Sequence, residues 1–270
     1  MIDSHGGILG ETSFTLSDSA QKYAHASAID SRYYEGLLDL TIFVSCYDEE
    51  RYIKNTLDAI IEAMCVVNKT YEIIIIDDNS KDHSVEVVKK YIEEHANINI
   101  ILCINKKNQG LAQNYINGAF IGQGKYYRLV CGDNAEPIET IVNVLSMIGE
   151  ADIIVPYYVA AHGKSIQRRV ISKIYTWCIN IVSGNKIKYY NGLHVHLRFN
   201  VMRWHPNTRG FGFQAGMLCL LIQKGFTYKQ VPCVTIELRG GGSNALTWKN
   251  LRSVLHITVS ILLRRFALLK

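Results

Sequence analysis

The sequence predicts an α/β fold built on a mostly parallel sheet, and three features predict it. Short apolar runs alternate with stretches of helical periodicity, polar residues gather after the strands, and 270 residues at 48% hydrophobic content suffice for one substantial core. Runs 40–45, 71–77, 98–104 and 126–131 read as strands. Between them, 50–67, 84–95 and 111–122 carry apolar residues at helical spacing, giving the order β-α-β-α-β-α-β. Strands joined through helices in this way lie parallel, with helices flanking the sheet.

The second half continues with a strand at 152–156, a helix from about 165 to 183, and a segment at 191–196 containing Gly192, His194 and His196. A helix near 214–224 and a late strand around 228–238 follow. Residues 1–39 read as a polar leader without the charged and apolar regions of a signal peptide, and 40–246 as one domain. Residues 247–270 form an amphipathic helix: Leu251, Val254, Leu255, Thr258, Leu262, Phe266 and Leu269 share a stripe, with Lys249, Arg252, Arg264, Arg265 and Lys270 at its ends. A spanning helix needs ~20 residues with few charges, and the uncharged stretch 253–263 is far shorter. The helix is therefore expected to lie on a membrane surface, although a helix packed on the body's own core would show the same pattern.

The formal charge of +5 suits nucleotide phosphates or a lipid surface and falls short of a nucleic-acid footprint, so no nucleic-acid partner is expected. Cysteines 46, 65, 103, 131, 178, 219 and 233 show neither CxxC pairing nor the histidine clustering of a zinc site. They read as buried thiols in a reducing cytosol, in a cytoplasmic protein peripheral on the cytoplasmic face of a membrane.

In a parallel sheet the ligand site lies beyond the carboxyl ends of the strands. Tyr47, Asp48 and Glu49 follow the first strand, and Asp77, Asp78, Asn79 and Ser80 the second. Asn108, Gln109 and Gly110 follow the third, and Gly132, Asp133 and Asn134 the fourth. Asp and Asn at such positions also make turns, and Asp133 would equally serve as a helix cap before Pro137, so no single motif decides the chemistry.

Together these motifs resemble the nucleotide-sugar domain of glycosyltransferase family 2, of GT-A (Rossmann-like) fold, and within it the dolichyl-phosphate mannose synthase branch of polyprenyl-phosphate glycosyltransferases. The resemblance covers roughly 40–250. It is carried by Val44-Ser-Cys-Tyr-Asp-Glu-Glu50, Asp77-Asp78-Asn79-Ser80, Asn108-Gln-Gly-Leu-Ala-Gln-Asn114 with Gly118, Phe213-Gln214, and Arg239 with Gly242-Ser243. It implies that Tyr47 and Glu49 frame the nucleobase and ribose, that Asp77 or Asp78 accepts hydrogen bonds from the base, and that Asn108 and Gly110 belong to the donor site. It implies further that Asp133 and Gln214 hold Mg²⁺ or Mn²⁺ on the diphosphate, and that Arg239 holds a phosphate. Asp133, Gln214 and Arg239 are thus the expected catalytic set. Cys131 replaces the first carboxylate of the family's Asp-x-Asp motif, which leaves a hard cation one oxygen ligand short.

A hydroxyl acceptor must lose a proton during attack, whereas a phosphate is already ionised. The segment Phe211-Gly-Phe-Gln214-Ala-Gly216 offers no carboxylate base, which favours a polyprenyl phosphate acceptor. The expected reaction is inverting transfer from a UDP- or GDP-sugar to that phosphate. The alternatives are transfer to a hydroxyl of a lipid-linked or soluble glycan, with Glu136 or Glu139 as base, and a non-catalytic nucleotide-sugar-binding protein. Among the available cations, Arg239 and the Arg168–Arg169 pair are the ones of interest, and Gly240-Gly-Gly-Ser-Asn244 has the composition of a phosphate-cradling loop.

Overall fold

The computed structural model describes residues 38–163, 165–204, 212–238 and 248–267. Arg239, the Gly240–Asn244 stretch, Phe211 and residues 1–37 of the expected leader lie outside them.

Four parallel strands come first: β1 (Leu38–Cys46), β2 (Tyr71–Asp77), β3 (Ile100–Ile104) and β4 (Gly124–Cys131), linked by α1 (Ile53–Val67), α2 (Ser84–Glu94) and α3 (Leu111–Ile121). β1 begins two residues inside the expected leader. Cys46 pairs with Asp77, Asp77 with Ile104, and Ser45 with Cys131, so all four strands end in one row. The sheet order is β3-β2-β1-β4-β6-β5-β7. From β1 the chain winds outward through β2 and β3, then returns to place β4 on the other side of β1. That reversal opens a crevice beyond the carboxyl ends of β1 and β4.

The second half contributes α4 (Ile138–Leu145), β5 (Ile153–His162), α5 (Ile166–Ser183), β6 (Val195–Leu197), α6 (Arg198–Met202), α7 (Phe213–Gln223), β7 (Tyr228–Ile236) and α8 (Trp248–Ala267). β7 runs parallel to β5, while β6 is antiparallel to both β4 and β5. The sheet is therefore mixed at one strand. With three residues, β6 is too short to show a strand period in the sequence; it exists because the chain returns through the gap between β4 and β5.

Alternation along β1 divides the core into two layers. Leu40, Ile42 and Val44 face α1, α2 and α4, while Phe43 faces the side covered by α3, α5, α7 and α8. On that second side Ile257 and Ile261 of α8 are buried in the core, so the terminal helix does pack on the body. Leu255, Leu262 and Phe266, which belong to the stripe expected from the sequence, instead face outward. No described helix is long and apolar enough to cross a membrane.

Candidate active site

The loops after β1 and β2 are knitted by reciprocal bonds. The backbone N–H of Asp48 donates to Ser80 Oγ at 3.0 Å, and that of Lys81 to Asp48 Oδ1 at 2.7 Å. Glu49 N–H donates to Ser84 Oγ at 2.8 Å, while Glu50 exchanges bonds with Asp82 and His83, both at 3.0 Å. Asp48, Asn79 and Asn134 all hold positive φ at these strand ends, a conformation that Asp and Asn tolerate because their short side chains bond nearby backbone. Of the residues after β1, Tyr47 is half exposed and Glu49 is buried.

The paired carboxylates have separate tasks. Asp77 closes its own turn, accepting from the N–H groups of Asn79 and Ser80, both at 3.1 Å, and from Ser80 Oγ. Asp78 reaches across to the β3–α3 loop, where it accepts from Gln109 N–H at 2.7 Å, Gly110 N–H at 2.9 Å and Asn105 Nδ2 at 2.9 Å. Asn108 Nδ2 returns to the Asp78 carbonyl at 3.4 Å. Asp78 is thus the residue that folds the Asn108–Gly110 loop toward the crevice. Burial raises its pKa, but the bonds from Gln109, Asn114, Asn105 and Gly110 outweigh that and lower it overall.

A carboxylate whose pKa falls on folding adds stability above its ordinary value, ~4 for aspartate, and loses it as the pH drops through the folded value. Asp78→Asn is expected to cost about 1–3 kcal/mol near neutral pH and to flatten the acid limb of stability. Urea melts of the two proteins across an acid pH series check this; parallel acid limbs would assign the acid sensitivity to other carboxylates.

The β4–α4 loop carries Asp133. Gly132 permits its close approach to β1: its N–H donates to the Ser45 carbonyl at 3.0 Å, and a Cβ there would lie 2.7 Å from the same oxygen. Asn134 N–H donates to Thr56 Oγ1 at 3.0 Å, and the Ala135 carbonyl accepts from Ile236 N–H at 2.9 Å and Thr235 Oγ1 at 3.0 Å. Below the loop lies an ion pair that the sequence reading did not identify. Arg128 Nη2 donates to both oxygens of Glu136 at 2.8 and 2.9 Å, its Nε donates to the Leu193 carbonyl at 3.3 Å, and both side chains are buried. Burial pushes the Glu136 carboxyl up and Arg128 pulls it back, with a net rise. Glu136 is therefore engaged as a structural partner, which weakens its case as a general base. Glu139, in the first turn of α4, lines a cleft of about 420 Å³ that adjoins the Asp133 loop, with Asn134, Glu136, Asp58 and Glu62.

Among the described residues, no group of three or more His, Cys, Asp or Glu side chains is arranged to hold a metal ion. Burial, followed by the charges of Asp133 and Glu136, pushes the Cys131 thiol up, so it stays protonated and is a poor ligand for a hard cation. Asp133 still suits an ion of the Mg²⁺ type, which takes one or two carboxylates and completes its shell with substrate phosphates and water. Gln214 lies in the first turn of α7, with its amide nitrogen placed to donate to the carbonyls of Gly192 at 3.2 Å and Asn191 at 3.3 Å. His194 and His196 are buried side by side, and burial pushes His194 down to about 3 and His196 well below its usual range. Both are neutral core residues at working pH.

A cleft of about 570 Å³ opens between β5 and α5. Arg169, Lys173, Lys188 and His162 line it with Tyr158 and Tyr189, and among the described residues no carboxylate does. Tyr158 packs edge-on against Tyr189 at 5.2 Å. Of the Arg168–Arg169 pair, Arg168 is bound to Glu237 and Arg169 faces the cleft.

Residues 41–209, which hold the first three strand-end loops, the Asp133 loop and α5, match the profile described as Glycosyl transferase family 2. The chain belongs to this family. Among family 2 relatives, the dolichyl-phosphate beta-glucosyltransferase of Dictyostelium discoideum is 36% identical over 101 residues, covering 36% of this chain and 31% of that protein. The dolichol-phosphate mannosyltransferase of Saccharomyces cerevisiae is 30% identical over 105 residues, covering 38% of this chain and 39% of the other. The chain thus matches well under two thirds of either relative's length.

Two solved structures share the GT-A fold expected from the sequence. Glucosyl-3-phosphoglycerate synthase from Mycobacterium tuberculosis, in complex with uridine diphosphate, superposes with a TM-score of 0.64 at 13% identity, covering 94% of this chain and 86% of that one. Staphylococcus aureus TarS with UDP-GlcNAc gives 0.60 at 14%, covering 83% and 66%. The Mycobacterium enzyme is also known with Mn²⁺ or Mg²⁺ bound beside uridine diphosphate. At these identities the likeness establishes the fold.

Proposed function

We propose that this family 2 protein is an inverting glycosyltransferase that moves a sugar from a UDP- or GDP-sugar to a membrane polyprenyl phosphate. The observation that carries the reading is the cleft between β5 and α5, which Arg169, Lys173 and Lys188 line and, among the described residues, no carboxylate does. Such a lining suits an acceptor that arrives as an anion and needs no base. The relatives named for dolichyl-phosphate sugar transfer support the same acceptor class.

On this reading, Tyr47, Glu49 and the Asp78-anchored loop with Asn108 and Gly110 receive the donor. A phosphate oxygen of the acceptor attacks the anomeric carbon, the bond from that carbon to the diphosphate oxygen breaks, and its electron pair leaves with the nucleotide diphosphate. Mg²⁺ or Mn²⁺ bound at Asp133 would supply positive charge to the departing diphosphate. Asp133 serves as its protein carboxylate, with Gln214 and Arg239 proposed as partners to the ion and the phosphate. Arg169, Lys173 and Lys188 hold the acceptor phosphate. The enzyme acts at a membrane surface, on the cytoplasmic face, in keeping with seven unpaired cysteines.

Full-length protein incubated with a panel of UDP- and GDP-sugars, vesicles carrying polyprenyl phosphate, and Mg²⁺ or Mn²⁺ should deposit sugar in the lipid phase. Transfer only to added soluble glycans would shift the acceptor to a hydroxyl. Donor binding without turnover under any condition would make the protein a nucleotide-sugar binder.

A further inference from the structure

Charge is divided sharply along the chain. From residue 153 to 270 there are 17 lysines and arginines and a single acid, Glu237. That acid is bound to Arg168. The half of the molecule that holds the cation-lined cleft is therefore strongly basic, although the whole chain carries only +5.

The same half presents apolar surface where solvent would be expected. On α5, Ile166, Val170, Ile174, Trp177 and Ile181 recur at spacings of three and four, which puts them on one stripe. They are well exposed, Ile166 at 77% and Trp177 at 64%. Ile179, on the opposite side of the helix, buries against the body, and Thr176 is buried on the flank between. α8 repeats the arrangement: Ile257 and Ile261 enter the core, while Leu255, Val259, Leu263 and Phe266 face out.

The two helices pack against each other and onto the same core layer, so their outer stripes turn to the same side. Arg265 of α8 fastens the pair by donating to the carbonyls of Ile181 and Val182, at 2.9 and 3.1 Å, at the carboxyl end of α5. Gly184, which ends α5 at φ +79°, leaves room for that guanidinium: a Cβ would sit 3.1 Å from Arg265 Cζ.

We propose that α5 and α8 together form the face by which this protein docks on an anionic lipid bilayer, with α5, not only the terminal helix, as a principal contact. An apolar stripe bordered by cations matches such a surface, because apolar burial below the headgroups and attraction to anionic lipid add together. Residues 169, 172, 173 and 176, which line the cleft, occupy the flank of α5 next to the stripe. Docking on this face brings the mouth of the cleft to headgroup level, where a lipid-borne phosphate enters sideways while its chain stays in the bilayer. This placement of the cleft rests on the function proposed above; the docking face itself does not.

The test is flotation of the full chain with vesicles of phosphatidylcholine, with and without phosphatidylglycerol, in the absence of donor and acceptor. Wild type should float with the anionic vesicles, with a blue shift of tryptophan emission. The variant Ile166→Gln/Ile174→Gln/Trp177→Gln should bind at least about ten-fold more weakly. Undiminished flotation of the variant, or no flotation of wild type, overturns the proposal. So does a concentration-dependent dimer that the variant abolishes, which would assign the face to a second copy. Transfer to a short-chain, water-soluble prenyl phosphate without vesicles separates the two ideas. The variant should retain it, whereas its absence in wild type would count against the transferase reading and leave the docking result standing.

Discussion

Sugar transfer by Asp133→Ala protein is expected to fall by roughly two to three orders of magnitude, the usual cost of removing a group that stabilises developing charge in a dry site. Asp133 is the carboxylate that the β4–α4 loop carries just beyond the crevice between β1 and β4. It also has a local duty, since its Oδ1 accepts from Ala135 N–H at 3.3 Å. Asp133→Asn separates the two roles, because an amide oxygen keeps the turn and gives up the charge. If charge matters, the Asn variant should be as inactive as the Ala variant, with thermal stability within about 1 kcal/mol of wild type. An active Asn variant would reduce Asp133 to a turn residue. A titration with Mn²⁺ adds a second readout: the apparent metal requirement should rise steeply for both variants if Asp133 is the protein ligand of the ion.

The first half of the fold was legible because its signals are local. Apolar runs of six or seven residues alternate with amphipathic helices, and each strand ends in turn-forming polar residues. The four expected strand ends do meet in one row, and the strand at 71–77 and the helix start at Ser84 fall where the periodicity placed them. The second half was harder for stated reasons. β6 is three residues long and its partners lie far away in sequence, so nothing local marks it. α4 is short and follows a proline, and the periodicity marked no helix there. In the site, types and places were readable but engagements were not. Asp77 and Asp78 looked equivalent in sequence, yet one closes its own turn and the other binds the loop after β3. The exposed stripe of α5 had a signal in its spacing, but whether such a stripe faces core or solvent depends on what packs behind it.

The Arg128–Glu136 pair also left a trace, a lone arginine in the apolar strand Gly124–Cys131. Its removal should give the largest stability loss of any single substitution considered for this protein. Glu136→Ala leaves the Arg128 charge buried without its partner, which costs about 3–5 kcal/mol. At ~2–4 °C per kcal/mol for a protein of this size, the melting temperature should drop by about 6–20 °C. The double variant Arg128→Met/Glu136→Leu removes both charges together and should recover most of that loss, because desolvating the pair nearly cancels its attraction. Transfer activity need not recover with stability. The bidentate bond ties β4 to the segment that carries Asp133, and an apolar replacement packs without fixing direction. A double variant that melts like wild type yet keeps a lowered turnover number at saturating donor would show that the pair positions the Asp133 loop. Full recovery of both would confine Arg128 and Glu136 to holding the core together.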